Sequence, residues 1–154
     1  MDRGQAEQIA TLLNEQNQLT VQHTAEKVLE HSDNYLVRLD SVGHVLACAE
    51  LKKVQWYQFE LLHVTVAQEH QRKGYAHALV AEAEKKAFEF GARILQSTIR
   101  VGNTASEELF KSSGFNSVCR FYNPTSKNMI SVWQRVLLSS PSNNSFKPTQ
   151  IGAS

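Results

Sequence analysis

Apolar positions along this chain recur at two periods, and the switches between them mark out its elements. Ala6, Ile9, Ala10, Leu12 and Leu13 fall at helical spacing, which predicts an amphipathic helix over residues 4–16. Asn17 and Gln18 break it, and Thr24 caps a second, short helix over residues 24–29. Residues 35–39 and 44–54 read as strands. The turn between them, Asp40-Ser41-Val42-Gly43, has a glycine available for positive φ, so the pair forms a hairpin. Residues 59–66 form a strand apolar on both faces, which predicts a central place in a sheet.

A helix over residues 72–90 follows, with Ala76, Leu79, Val80, Ala83, Ala87 and Phe90 on one stripe and Gly91 as its stop. Glu82, Lys85, Lys86 and Glu89 lie mostly away from that stripe. Residues 93–99 read as a strand. Residues 104–113 read as a short helix capped at Asn103 or Thr104 and ended by Gly114. Residues 115–122 and 128–137 read as two last strands joined at Asn123-Pro124. The order α-α-β-β-β-α-β-α-β-β predicts a mixed α/β (α+β) layer fold with a hairpin, a central strand and a crossover helix.

The composition changes at Ser139. The run Ser139-Ser140-Pro141-Ser142-Asn143-Asn144-Ser145 is polar and simple, so residues 1–138 are expected to form one domain and residues 139–154 a disordered tail. A length of 154 residues and an apolar fraction of 42% suit a single soluble domain with a real core. The formal net charge of +1 argues against a general nucleic-acid or membrane-surface binder. No apolar run is long enough to cross a membrane, and Met1-Asp2-Arg3-Gly4-Gln5 carries no signal-peptide pattern, so a cytoplasmic location is expected. Cys48 and Cys119 both lie in apolar strand-like segments. Buried thiols in a reducing compartment are the favoured reading, with one disulfide as the other.

The segment Gln71-Arg72-Lys73-Gly74-Tyr75-Ala76 joins the central strand to the long helix. The first N–H groups of a helix have no intrahelical acceptor, and the helix dipole adds partial positive charge there. Gly74 lets backbone approach a ligand, and Ala76 keeps the first turn slim. Arg72 and Lys73 oppose that dipole unless an anion sits between them and the helix, which points to a phosphorylated ligand. By itself the loop also fits an ordinary strand-to-helix connection with solvated cations. It is not a Walker A loop and lacks the three spaced glycines of a dinucleotide site.

With Asn103 after the following strand, and Leu109-Phe110-Lys111-Ser112-Ser113-Gly114-Phe115 further on, this segment resembles the GNAT superfamily of N-acetyltransferases over nearly all of residues 4–137. The resemblance implies acetyl-CoA as cosubstrate, with no metal. It implies that Val64, Thr65 and Val66 pair with pantetheine as an added strand, and that Gln71, Arg72, Lys73, Gly74, Tyr75 and Ala76 hold the pyrophosphate. It also implies that Asn103 positions the cofactor arm beside Phe110. Two departures stand out. No strand precedes the first helix, so the first edge strand of that fold is missing, which suggests a homodimer. Phe110 occupies the place of the family's usual tyrosine acid, which leaves that role vacant, or to Tyr122, or to water.

Acetyl transfer needs a neutral amine and a route for its proton. Glu60, a charged residue at the head of an apolar strand, matches the offset of the general-base glutamate of the histone-acetyltransferase branch; the other reading is an exposed strand end. His63 on the same strand could act as a base near neutral pH, or be a hydrogen-bonded core residue. Trp56 and Tyr57 could wall an acceptor pocket or pack in the core. The six histidines show no metal-ligand spacing. The expected activity is direct transfer from acetyl-CoA to the primary amine of a small molecule. The alternatives are transfer to a protein or peptide amine, or a non-catalytic CoA-binding module, for which Phe110 is the support. The tail segment Asn144-Ser145-Phe146-Lys147-Pro148-Thr149 is similar to translated read-through from an integron cassette recombination site, which would imply a bacterial, mobile origin.

Overall fold

The computed structural model describes residues 1–17 and 21–138; the expected tail, residues 139–154, lies outside them. Helix α1 spans Arg3–Gln16 and opens with a reciprocal cap, the Asp2 carboxylate accepting from the Gln5 N–H while the Gln5 side chain accepts from the Asp2 N–H. Helix α2, Ala25–Glu30, starts at Thr24, whose hydroxyl accepts from the Lys27 N–H. The two helices bury Ile9, Leu13 and Val28 with Cys48 on one face of the sheet.

The sheet has six strands: β1 Tyr35–Leu39, β2 Val45–Gln55, β3 Gln58–Val66, β4 Ile94–Arg100, β5 Asn116–Asn123 and β6 Asn128–Val136, in the order β1-β2-β3-β4-β6-β5. Only β3 and β4 run parallel; every other neighbouring pair is antiparallel. The crossover between them is helix α3, Tyr75–Glu89, whose Leu79, Val80, Ala83 and Ala87 pack on Leu61, Leu95 and Ile99. Helix α4, Thr104–Ser112, lies on that same face through Phe110.

Both α3 and α4 end in the same device. At α3, Gly91 has φ 93°, its N–H bonds the Phe88 carbonyl, and the Ala92 N–H reaches back to Ala87 at 2.9 Å. At α4, Gly114 has φ 87°, its N–H bonds Lys111, and the Phe115 N–H reaches Phe110 at 2.9 Å. The hydrophobic contact that accompanies this motif is Phe110 against Phe115, edge to face at 5.0 Å. The residue in the tyrosine position of the resembled family thus closes the end of its own helix.

Three expectations need correction. Helix α3 begins at Tyr75 rather than at residue 72, because Gly74 is its N-cap in the left-handed conformation, φ 86°. Phe90 leaves the buried stripe and is exposed, stacking on Phe59 at 6.1 Å, while Glu84 is buried in the stripe instead. Cys119 is exposed on edge strand β5, and both cysteines are unbridged; Cys48 is buried, which pushes its thiol up to about 12.

Candidate active site

Strand β3 meets β4 over only three residue pairs, Gln58 with Ile94, Phe59 with Leu95 and Glu60 with Gln96. One further tie joins them, the Ser97 hydroxyl donating to the Leu61 carbonyl at 2.9 Å. Beyond it β4 stays paired to β6 as far as Arg100, and the far half of β3 loses its parallel neighbour. Pairing with β2 also skips there: Leu62 stands opposite Glu50 and Thr65 opposite Cys48, so His63 and Val64 together oppose Ala49. This β-bulge re-aims the strand, and His63 takes φ 55°, an uncommon value for a residue with a side chain. The turn is fixed from behind. The Thr65 hydroxyl donates to the His63 carbonyl at 2.8 Å and accepts from the Asn17 amide at 3.0 Å.

The His63 ring meets His23 edge to face at 4.9 Å. Burial, with His23 nearby adding to it, pushes His63 down to about 4, so it is a neutral imidazole at pH 7.

Past Val66 the chain turns into the loop before α3. Arg72 has φ 62° and Gly74 φ 86°, which leaves the N–H groups of Tyr75, Ala76 and His77 at the helix mouth. The Gln71 amide donates to the Val66 carbonyl at 3.3 Å and so ties the loop to the strand end. A Cβ on Gly74 would meet no protein atom within 4 Å, so packing within the chain does not demand a glycine there; the backbone angle and the open space before the helix do. Arg72 and Lys73 are exposed, and neither forms an ion pair among the described residues.

Val64, Val66, Gln71, Arg72, Gly74, Tyr75 and Ala76 line one cleft of about 660 Å³, which α4 closes with Ala105, Ser106 and Leu109. His77 and Ser112 also line it and are bonded Nε2 to Oγ at 2.8 Å. Lys73 does not line it, and Thr65 points into the core at 3% exposure. A second cleft, of about 570 Å³, fills the gap between β3 and β4 and shares Val64 and Ser106 with the first. It holds His63, Asn103 and Phe110. Asn103 is also the N-cap of α4, its side-chain oxygen accepting from the Ser106 N–H at 3.4 Å. Nine of the eleven expected cofactor residues therefore line two connected clefts, while Thr65 is buried behind them and Lys73 lines neither.

The expected catalytic residues stand apart from these clefts. Glu60 is half-buried between Lys52 on β2 and Gln96 on β4, below the point where the strands part, and lines neither cleft. Burial raises its carboxyl above the usual range, and Lys52 partly offsets this. Tyr122 is on edge strand β5, with β6 and β4 between it and β3, and is 57% exposed. Trp56 and Tyr57 form the β2–β3 turn, at the end of β3 away from the bulge, and pack on each other at 5.0 Å. Trp56 is 75% exposed, so neither the pocket-wall nor the core reading fits it.

Several lining residues escape a reading by motif: Thr98, Arg100 and Ser106, and Asn123, Ser126 and Asn128 on the β5–β6 hairpin. The polar alternation of Ser97-Thr98 within an apolar strand was the available signal for the first of these. No group of three or more His, Cys, Asp or Glu among the described residues could hold a metal ion. No helix among them is long and apolar enough to cross a membrane.

A strand that parts from its parallel neighbour beside a glycine-capped helix mouth is a fold-level signature, and the comparisons agree with it. The acetyltransferase (GNAT) family matches residues 6–115, and the chain belongs to that family. Solved structures share the fold at low identity. The ribosomal-protein-alanine N-acetyltransferase of Brucella melitensis is 19% identical with a TM-score of 0.75, covering 89% of this chain and 97% of that one. For yncA of Salmonella typhimurium, solved with its cofactor acetyl-CoA, the values are 18%, 0.75, 98% and 96%. For a mutant of the spermidine N-acetyltransferase SpeG of Vibrio cholerae they are 19%, 0.73, 95% and 97%. Among curated proteins no sequence matches this chain.

Proposed function

We propose that this protein transfers the acetyl group of acetyl-CoA directly to the primary amine of a small molecule, both substrates being bound together in the paired clefts. The observation that carries the proposal is the parting of β3 from β4 beside the α3 N-terminus. The exposed edge at Val64–Val66 suits a pantetheine arm, which carries two amides and can pair as a strand would. The N–H groups at the α3 mouth, with Arg72 and Lys73 outside, suit the pyrophosphate. Asn103 and Phe110 suit the end of the arm that carries the thioester.

Acetyl-CoA supplies an activated acyl carbon; the chain supplies position and a path for a proton. The new bond is N–C and the broken one C–S. The amine proton passes through water to Glu60, whose raised pKa favours accepting it. Backbone N–H at the His63–Val64 bulge polarises the carbonyl. The thiolate takes its proton from water, because Phe110 has none to give and Tyr122 is solvated on the outer strand.

The proposal includes the cytoplasm as location, supported by two unbridged cysteines. It also includes a homodimer, supported by a sheet that ends in β1 on one side and in the exposed β5 on the other. The integron origin rests on residues 144–149 alone. Light scattering at tens of micromolar tests the dimer, and a monomer mass refutes it. For the activity, thiol release from acetyl-CoA is followed over a panel of primary amines. Amine-dependent release is the expected result; saturable acetyl-CoA binding with no release for any amine would leave a binding module and refute the enzyme.

A further inference from the structure

Helix α4 supplies a wall to both clefts: Ala105, Ser106 and Leu109 in the first, Asn103, Ser106 and Phe110 in the second. It is lightly held for that task. Of its nine residues only Phe110 is buried, with Leu109 partly buried against the same core. A helix that short is marginal without outside support. Two side chains from other elements hold its last turn. The His77 ring of α3 bonds the Ser112 hydroxyl at 2.8 Å, and the Arg135 guanidinium of β6 donates to the Ser113 carbonyl just past the helix end. A helix C-terminus presents unpaired carbonyls and partial negative charge, which a guanidinium suits.

Arg135 is itself aimed. Glu84 on α3 is 5% exposed and stands 3.7 Å from its Nε, so one planar fork meets the Glu84 carboxylate and the Ser113 carbonyl together. Burial raises the Glu84 carboxyl and Arg135 pulls it down. Keeping a carboxylate so dry costs stability; fixing the direction of Arg135 is what it contributes. Gly114 is fitted to the same guanidinium. Besides its φ of 87°, a Cβ there would collide with Arg135. Arg135 lines neither cleft.

We infer that Arg135, aimed by Glu84, is a positioning residue for the reaction: it fixes the end of α4 and so sets the wall against which acetyl-CoA binds. This rests on the acetyltransferase reading above. Arg135 touches no substrate and acts through the Ser113 carbonyl alone. Without it α4 keeps Phe110 in the core but swings at its last turn, and the first cleft loses its fixed width.

Isothermal titration of acetyl-CoA compares Arg135→Met with the parent and with Val28→Ala, which loosens the core on the opposite face of the sheet. Arg135→Met is expected to weaken affinity by at least about tenfold relative to Val28→Ala, a difference that lost stability alone would not produce. Arg135→Lys keeps a cation that can donate to the Ser113 carbonyl and should recover affinity to within about threefold of the parent. Amide exchange without ligand gives a second readout. Arg135→Met should speed exchange over Thr104–Ser112 and leave Val45–Gln55 on β2 at the parent's rates. Affinity within about threefold of Val28→Ala, or α4 exchange no faster than in the parent, overturns the inference and leaves the acetyltransferase reading standing. A parent chain that binds no acetyl-CoA overturns that reading, and the inference with it. If Arg135→Met does not fold, Glu84→Gln combined with Arg135→Met leaves no carboxylate unpaired at that site and gives the same readouts.

Discussion

Replacing Gly74 by aspartate separates what the glycine does for the backbone from what it does for a ligand. Gly74 has φ 86°, and a Cβ there meets no protein atom within 4 Å, so the protein itself registers only conformational strain. That strain is about 1–2 kcal/mol for a residue with a side chain in the left-handed region. It corresponds to a melting point lower by roughly 3–6 °C for a domain of this size. Gly43, in the β1–β2 turn, provides a matched control: φ is 95°, nothing lies within 4 Å, and it lines neither cleft. Gly43→Asp should cost similar stability. At Gly74 the new carboxylate would also face the pyrophosphate. One negative charge about 5 Å from another costs about 3 kcal/mol at an effective dielectric of about 20. Acetyl-CoA affinity should therefore fall by about a hundredfold or more relative to the Gly43→Asp control. Isothermal titration with EDTA present measures this, and circular dichroism melting checks the fold. A folded Gly74→Asp protein that binds acetyl-CoA within about threefold of the control would refute the cradle.

Glu60→Gln keeps shape and removes basicity; turnover should fall by about 10²–10⁴-fold with acetyl-CoA affinity unchanged, and turnover within about threefold of the parent would remove Glu60 from the mechanism. Glu84 is buried beside Arg135, at 3.7 Å, and burial raises its carboxyl to about 7 although Arg135 pulls it down. Its folded pKa exceeds its unfolded one, so the native state keeps the proton longer and stability falls as pH rises from about 4.5 to about 7. Urea unfolding of Glu84→Gln should thus show a variant that gains on the parent by up to about 3 kcal/mol across that window, whereas a constant difference would refute the assignment. Truncation after Leu138 should leave melting point and cofactor affinity unchanged; a loss of several degrees would show that residues 139–154 contribute to the fold.

Most of the architecture was legible because local signals and tertiary packing agree. The Asp40–Gly43 turn, the Thr24 cap and the stops at Gly91 and Gly114 each have one physical role, and each appears where the pattern places it. The start of α3 was misplaced by three residues because Arg72 and Lys73 favour helix by propensity, while Gly74 sets the boundary through its positive φ. Glu84 falls at helical spacing between Val80 and Ala87 and could have been assigned to the buried stripe. Its partner Arg135 is 51 residues away in sequence (84 to 135), and no local pattern shows it. The positive φ of His63 and the parting of β3 from β4 are equally silent, since both depend on which strand pairs with which. The same holds for Trp56 and Tyr57. Their nearness to Glu60 in sequence suggested a shared pocket, but an extended strand carries them to its other end.

Amide hydrogen exchange with and without acetyl-CoA tests the central claim most directly, because the proposed cofactor contacts are main-chain groups. The account predicts slowed exchange at His63–Val66 on β3 and at Tyr75–His77 on α3, with β5 unchanged at Asn116–Asn123. Saturable binding that leaves those two segments at their original rates, or that protects β5 instead, would contradict it.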